Sequence, residues 1–174
     1  GKARELGFDR SMIMSYGQDD RVCAYTSLAA MLGTDAELEK TACCLLVDKE
    51  EIGSVGATGM QSKFFENVVA EIISLEGDYN DLKLRRCLAN SKMLSSDVNA
   101  GYDPLFADAF EKKNASFCGR GVVFSKFTGS RGKSGSNDAN AEYIAKLRKI
   151  MDDNNVHYQM AELGKVDVGG GGLH

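Results

Sequence analysis

The chain has 174 residues, 43% of them apolar and 26% charged, with 25 acidic against 21 basic side chains and a net charge of -4. That length suits one domain with a full core. The slight acidity and the lack of any dense basic run exclude a nucleic-acid or anionic-membrane partner as the expected ligand.

No apolar run is long enough to cross a bilayer, and Gly-Lys-Ala-Arg-Glu at the start has no apolar signal core. The expected compartment is therefore cytoplasmic. Cys23, Cys43, Cys44, Cys87 and Cys118 form an odd set without Cys-x-x-Cys spacing. They imply neither a disulfide frame nor a zinc ribbon and are expected as small buried hydrophobes.

Residues 1 to 18 read as irregular, apart from a short strand at Ser11-Met-Ile-Met14. Asp19 or Asp20 is expected to cap a helix in which Val22, Tyr25, Leu28, Ala29 and Leu32 recur at helical spacing until Gly33. Thr41 to Val47 is a continuous apolar run, as expected of a strand covered on both faces. It delivers Glu50 and Glu51, adjacent carboxylates that resist desolvation together unless a cation or a proton is present. The plain alternative is a solvated acidic turn.

Beyond Gly53, Gly56 and Gly59, the spacing predicts a helix from Met60 to Leu75 with Phe64, Phe65, Val68, Val69, Ile72 and Ile73 facing a core. Residues 76 to 90 read as a polar connection with one helical turn. Lys92 to Asp97 reads as a strand ending in an acid, and Asn99 to Leu105 as a loop holding the single proline, Pro104. For Asp97 the alternative is a loop-entry residue accepting backbone bonds.

A third strand, Gly121 to Phe127, runs into Thr128-Gly-Ser-Arg-Gly-Lys-Ser-Gly-Ser136. Gly132-Lys133-Ser134 matches the end of a P-loop, but Phe127 stands where the first glycine is required, which argues against a nucleotide site. Asn137 or Asp138 is expected to cap a helix through Met151. Val156 to Leu163 is a fourth strand, with Val156, Tyr158 and Met160 on its apolar side and His157 on its polar side.

Strands alternating with amphipathic helices predict an α/β fold, a three-layer α/β/α sandwich with a mostly parallel sheet. Ligands of such sheets gather beyond the carboxyl ends of the strands, where Glu50, Glu51 and Asp97 fall and where Asp19 is expected to face. Carboxylates converging there repel one another without a divalent metal. Oxygen ligands of this kind fit zinc, manganese or cobalt in a two-metal site. One aspartate bridges ions about 3.5 to 4 Å apart, and a carboxylate left free takes the proton of an attacking water.

Five segments in order extend this reading: Gly17-Gln-Asp-Asp-Arg21, Asp48-Lys-Glu-Glu-Ile-Gly-Ser54, Ser95-Ser-Asp-Val-Asn-Ala-Gly-Tyr-Asp-Pro104, Arg131-Gly-Lys-Ser-Gly-Ser136 and Glu162 to Gly172. Together they resemble the successive motifs of the aspartyl aminopeptidase and vacuolar aminopeptidase I family. The resemblance implies a dizinc metalloaminopeptidase that removes N-terminal residues from peptides, with a three-layer sandwich fold and assembly into a homo-oligomeric dodecamer built from dimers. By position it makes Asp19 the bridging ligand, Glu50 the general base, and Glu51 and Asp97 terminal ligands of separate ions. Gly169 and Gly170 match a loop lining the substrate pocket. Lys126, Arg131 and Lys133 are candidates for an acidic N-terminal side chain, with solvated loop charges as the alternative.

The resemblance also sets an expectation about extent. The family's upstream His-x-Asp motif and its later metal-binding histidine have no counterpart here. Residues 1 to 172 are accordingly expected to be part of a catalytic domain, without the dimerisation domain, and inactive alone. Leu173 and His174 are read as foreign to it. The competing expectation is a non-catalytic scaffold or assembly unit with the same fold.

Overall fold

The computed structural model describes residues 1–126, 138–162 and 164–165. Its contacts divide the chain into two units: Gly1–Val47 with Lys92–Val98, and Asp48–Ser91 with Asn99–His174.

In the first unit β1 (Arg4–Leu6) pairs antiparallel with β2 (Met12–Met14), Glu5 opposite Ile13. The strand expected at Ser11 to Met14 is thus present. Gly7, at φ +90°, opens the connecting turn, and the Arg10 N–H donates to its carbonyl at 3.1 Å. Helix α1 (Gln18–Leu32) closes where Gly33 donates to the Ala29 carbonyl at 2.9 Å. Its start differs from expectation. Gly17, at φ +75°, occupies the cap position, no side chain caps the helix, and Asp19 and Asp20 lie inside it with non-helical backbone angles. The peptide bond between those two aspartates is cis.

Thr41 to Val47 and Lys92 to Asp97, both expected as strands, carry no strand ladder among the described residues. Apolar content alone does not make a strand; the ladder needs a partner backbone at hydrogen-bonding distance.

The second unit opens with a single 3-10 turn, Glu50–Ile52, followed by α2 (Phe64–Leu75) and α3 (Asp81–Asn90). Helix α2 starts four residues later than the periodicity predicts, after the turn around Gly59. Phe65, Val69 and Ile73 are half-buried whereas Phe64, Val68 and Ile72 are exposed, so one half of the wide apolar face is covered. Helix α3 replaces the expected polar connection. Asn80 caps it by accepting the Lys83 N–H at 2.9 Å, and Leu84 anchors it at 7% exposure.

A short 3-10 segment, Pro104–Ala109, precedes β3 (Val122–Ser125), α4 (Ala141–Asp153) and β4 (Tyr158–Ala161). Strands β3 and β4 run parallel, Val122 opposite Tyr158 and Ser125 opposite Ala161, which requires a crossover connection. The cap of α4 is Asn140, whose side chain accepts the Tyr143 N–H at 2.8 Å, rather than Asn137 or Asp138.

The alternation expected along β4 is also corrected. Ala161 is buried while Val156 and Met160 are exposed. The second face is held by Gln159, whose amide donates to the Phe117 carbonyl at 3.1 Å and accepts the Phe117 N–H at 3.0 Å. A glutamine bonding a neighbouring backbone in both directions takes the place of a strand edge there. His157 is exposed, as expected, and its carbonyl accepts the Val122 N–H at 3.1 Å. The cysteines are free thiols, three exposed and two half-buried, instead of core residues.

Candidate functional site

The first unit gathers an acidic cluster. Asp19 and Asp20 come from the distorted start of α1, and Asp97 from the extended segment that returns to this unit. Each offers a carboxylate oxygen, and the three oxygens lie within 4.8 Å of one another. Asp97 Oδ1 accepts the Val98 N–H at 2.7 Å, which fixes the orientation of that carboxylate. Asp20 is half-buried, and its Oδ1 is shut off from solvent without a hydrogen-bond partner among the described residues.

An unpartnered buried carboxylate oxygen is costly. The charges are partly answered by the amino end of α1, whose first turn holds Asp19 and Asp20. Cys23 lies alongside. Burial first, and then the neighbouring Asp20, push its thiol up to about 11, so it stays protonated at neutral pH. This donor set, all oxygens with one orphaned, fits a divalent cation.

The second unit carries the other acidic pair. Glu50 and Glu51 form the 3-10 turn, flanked by Lys49 at φ +69°, Gly53 at φ +90° and Ser54 at φ +59°. The Ser54 N–H donates to the Lys49 carbonyl at 2.7 Å, and the Gly53 N–H to the Glu50 carbonyl at 2.8 Å. Ser54 is buried at 2% exposure and Glu51 is exposed. Asp48 bonds both the backbone N–H (2.8 Å) and the ammonium (2.7 Å) of Lys49, and the Lys49 side chain beside it holds its carboxyl below the usual range. From the far side of the turn, the Gln61 amide donates to the Gly53 carbonyl at 2.7 Å and its backbone N–H to the Ser54 carbonyl at 3.0 Å.

Of the residues predicted from sequence, Asp19 and Asp97 are brought together, and Glu50 with Glu51 share one turn in the other unit. Lys126 forms an ion pair with Asp138 and donates to the Ala139 carbonyl at 2.6 Å. Arg131, Lys133, Gly169, Gly170, the Gly132-Lys133-Ser134 segment and His174 lie outside the described residues. Sequence reasoning offers Asp19 or Asp20 as a cap, leaves Asp20 without a role of its own and passes over Gln61. The adjacency Asp19-Asp20 was a usable signal for the first; a lone glutamine after Met60 was none.

Comparison with known proteins covers the whole chain. A family model described as Aminopeptidase I zinc metalloprotease (M18) matches residues 1–174. A probable M18 family aminopeptidase 1 of Clostridium acetobutylicum is 64% identical over 172 residues, spanning 99% of this chain and 37% of the relative. The crystal structure of an M18 family aminopeptidase from Thermotoga maritima superposes with a TM-score of 0.91 at 43% identity, over 99% of this chain and 38% of that one. The mApe1 dodecamer of Saccharomyces cerevisiae shares the fold, with a TM-score of 0.72 at 22% identity over 97% of this chain and 37% of that one. The chain thus spans less than two fifths of the length of these relatives.

Proposed function

The chain belongs to the M18 family of aminopeptidase I zinc metalloproteases, and from that premise we propose that the intact protein is a metalloaminopeptidase. It removes N-terminal residues from peptides at a dinuclear zinc site. The observation that carries this reading is the meeting of the Asp19, Asp20 and Asp97 carboxylates within 4.8 Å, with one oxygen buried and unpartnered among the described residues.

Asp19 would bridge the two ions, Asp97 would hold one of them and Glu51 the other; manganese or cobalt suits the same oxygens. Bound zinc supplies Lewis acidity, polarising the scissile carbonyl and making water a nucleophile near neutral pH. The chain's own chemistry is proton transfer. Glu50 accepts the proton of the attacking water and returns it to the departing amine nitrogen. Glu51 is its neighbour in the 3-10 turn.

Residues 1–172 then form part of a catalytic domain of three-layer α/β/α architecture. We extend the reading to a homo-oligomer. It is supported by the dodecameric fold neighbour and by exposed apolar side chains such as Phe64, Ile13 and Leu105.

The test is metal content and aminoacyl amide cleavage by the intact protein beside its Glu50→Gln variant. The expected result is two ions per chain and a loss of turnover of about 10²- to 10⁴-fold in the variant, the range of general-base catalysis. A folded intact protein without metal or turnover would instead support a non-catalytic assembly unit of the same fold.

A further inference from the structure

The Glu50–Glu51 turn is an improbable piece of backbone. Lys49 and Ser54, both with side chains, sit in the left-handed region on either side of it. Such residues persist where surrounding bonds hold them, and they concentrate where geometry matters. The turn's own bonds, from Gly53 to Glu50 and from Ser54 to Lys49, close it internally but do not fix it against the rest of the unit.

Three contacts do that. The Asp48 N–H donates to the Thr58 carbonyl at 3.3 Å at the entrance. Gly59 is buried against Ser54 so closely that a Cβ on it would stand 2.1 Å from the Ser54 carbonyl oxygen. Gln61 spans the exit, its side chain bonded to the Gly53 carbonyl and its backbone to the Ser54 carbonyl. Of these, only Gln61 uses a side chain to grip the turn. The carbonyl it grips belongs to the residue that ends the turn, two positions after Glu51.

We propose that Gln61 is a positioning residue for the Glu50–Glu51 pair, acting through the Gly53 carbonyl rather than through substrate or metal. The proposal rests on the reading of Glu50 as proton acceptor and Glu51 as ligand. A base and a ligand that are chain neighbours cannot be placed independently. A rotation of the turn moves both, and a displacement of about 1 Å at a reacting group costs about 100-fold in rate. A fixed carbonyl behind the turn removes that rotation.

The test uses the intact protein with Gln61→Met, which keeps length and loses the donor, and Gln61→Lys, which restores a donor. With Gln61→Met, kcat falls about 10- to 100-fold while KM stays within about twofold, because uniform substrate binding is untouched. With zinc in excess, bound metal and the unfolding midpoint stay near the parent's. Gln61→Lys recovers most of the lost kcat. Amide exchange at Gly53 and Ser54 rises about fivefold or more in Gln61→Met, the equivalent of one lost hydrogen bond.

Unchanged exchange at Gly53 and Ser54 would overturn the proposal, as would a Gln61→Met variant with the parent's kcat. So would parallel losses of kcat, KM, metal and stability that Gln61→Lys fails to repair, since those mark a merely structural glutamine. The underlying function reading fails separately. Turnover retained in Glu50→Gln refutes the base assignment, and the exchange measurement still decides whether Gln61 holds the turn.

Discussion

Replacing Gly59 with alanine tests the packing behind the acidic turn more sharply than any change to the acids themselves. The added methyl would stand 2.1 Å from the Ser54 carbonyl oxygen, 2.5 Å from its carbon and 2.6 Å from the Val55 oxygen. An ordinary carbon–oxygen contact is about 3.3 Å, so backbone must move by about 1 Å. Ser54 cannot retreat freely, because its carbonyl accepts the Gln61 N–H and its side chain is buried. The cost therefore falls at the top of the overpacking range, about 3 kcal/mol.

Gly53, six residues earlier, makes the control. Nothing lies within 4 Å of a Cβ there, but φ is +90°. Its alanine variant pays only the left-handed penalty, roughly 1 to 2 kcal/mol. Asparagine, which tolerates that region, recovers part of the loss at Gly53 and none at Gly59. Urea unfolding of the intact protein, with the slope checked for constancy, reads all four variants. A Gly59→Ala cost below about 0.5 kcal/mol, the usual surface value, would refute the reasoning, as would rescue by asparagine at Gly59.

Asp97→Asn keeps the shape of the acidic cluster and removes one charge. Since losing a mere outer-shell partner weakens metal binding about 10- to 100-fold, losing this ligand should weaken zinc binding by at least about 100-fold; equal affinity in competition with a chelator would remove Asp97 from the ligand set. Tyr79 offers a pH readout away from the site. Its hydroxyl donates to Asp81 at 3.1 Å, and that bond to the carboxylate raises the phenol above 10.0. The folded state thus holds this proton more tightly than the unfolded chain. Any stabilisation is present below pH 10 and is lost as pH rises through the raised folded value. Asp81→Asn should shift tyrosinate absorbance to lower pH, and superimposable titration curves would discard the bond.

The elements legible in the sequence are those whose signals are local. Helices α1, α2 and α4 announce themselves by apolar spacing, and β3 and β4 by short apolar or alternating runs. Helix α3 escapes a reading by apolar spacing because Lys83, Arg85 and Arg86 are interleaved with Leu82, Leu84, Cys87 and Leu88. Leu84 alone is buried, and the cap at Asn80 sits in a run, Asp78-Tyr-Asn-Asp81, that reads equally well as a turn. Thr41 to Val47 failed the other way. Its composition is that of a buried strand, yet pairing is a property of two segments, and one of them says nothing about whether a partner arrives.

At the acidic site, helix-cap chemistry and metal chemistry compete for the same residue types. An aspartate at a helix start is normally a cap, so Asp19 and Asp20 carry a local explanation that hides any other. Gly17 removes it: with φ at +75° the glycine takes the cap position, and both acids are released from service to the backbone. Asp97 then supplies the third oxygen from a segment 77 residues beyond Asp20, a separation that no periodicity encodes. At 4 to 5 Å, two like charges repel by about 1 kcal/mol in water and by about 3 to 4 kcal/mol near a protein surface. With one Asp20 oxygen buried and unpartnered among the described residues, these three carboxylates form a donor set that a divalent cation would fit.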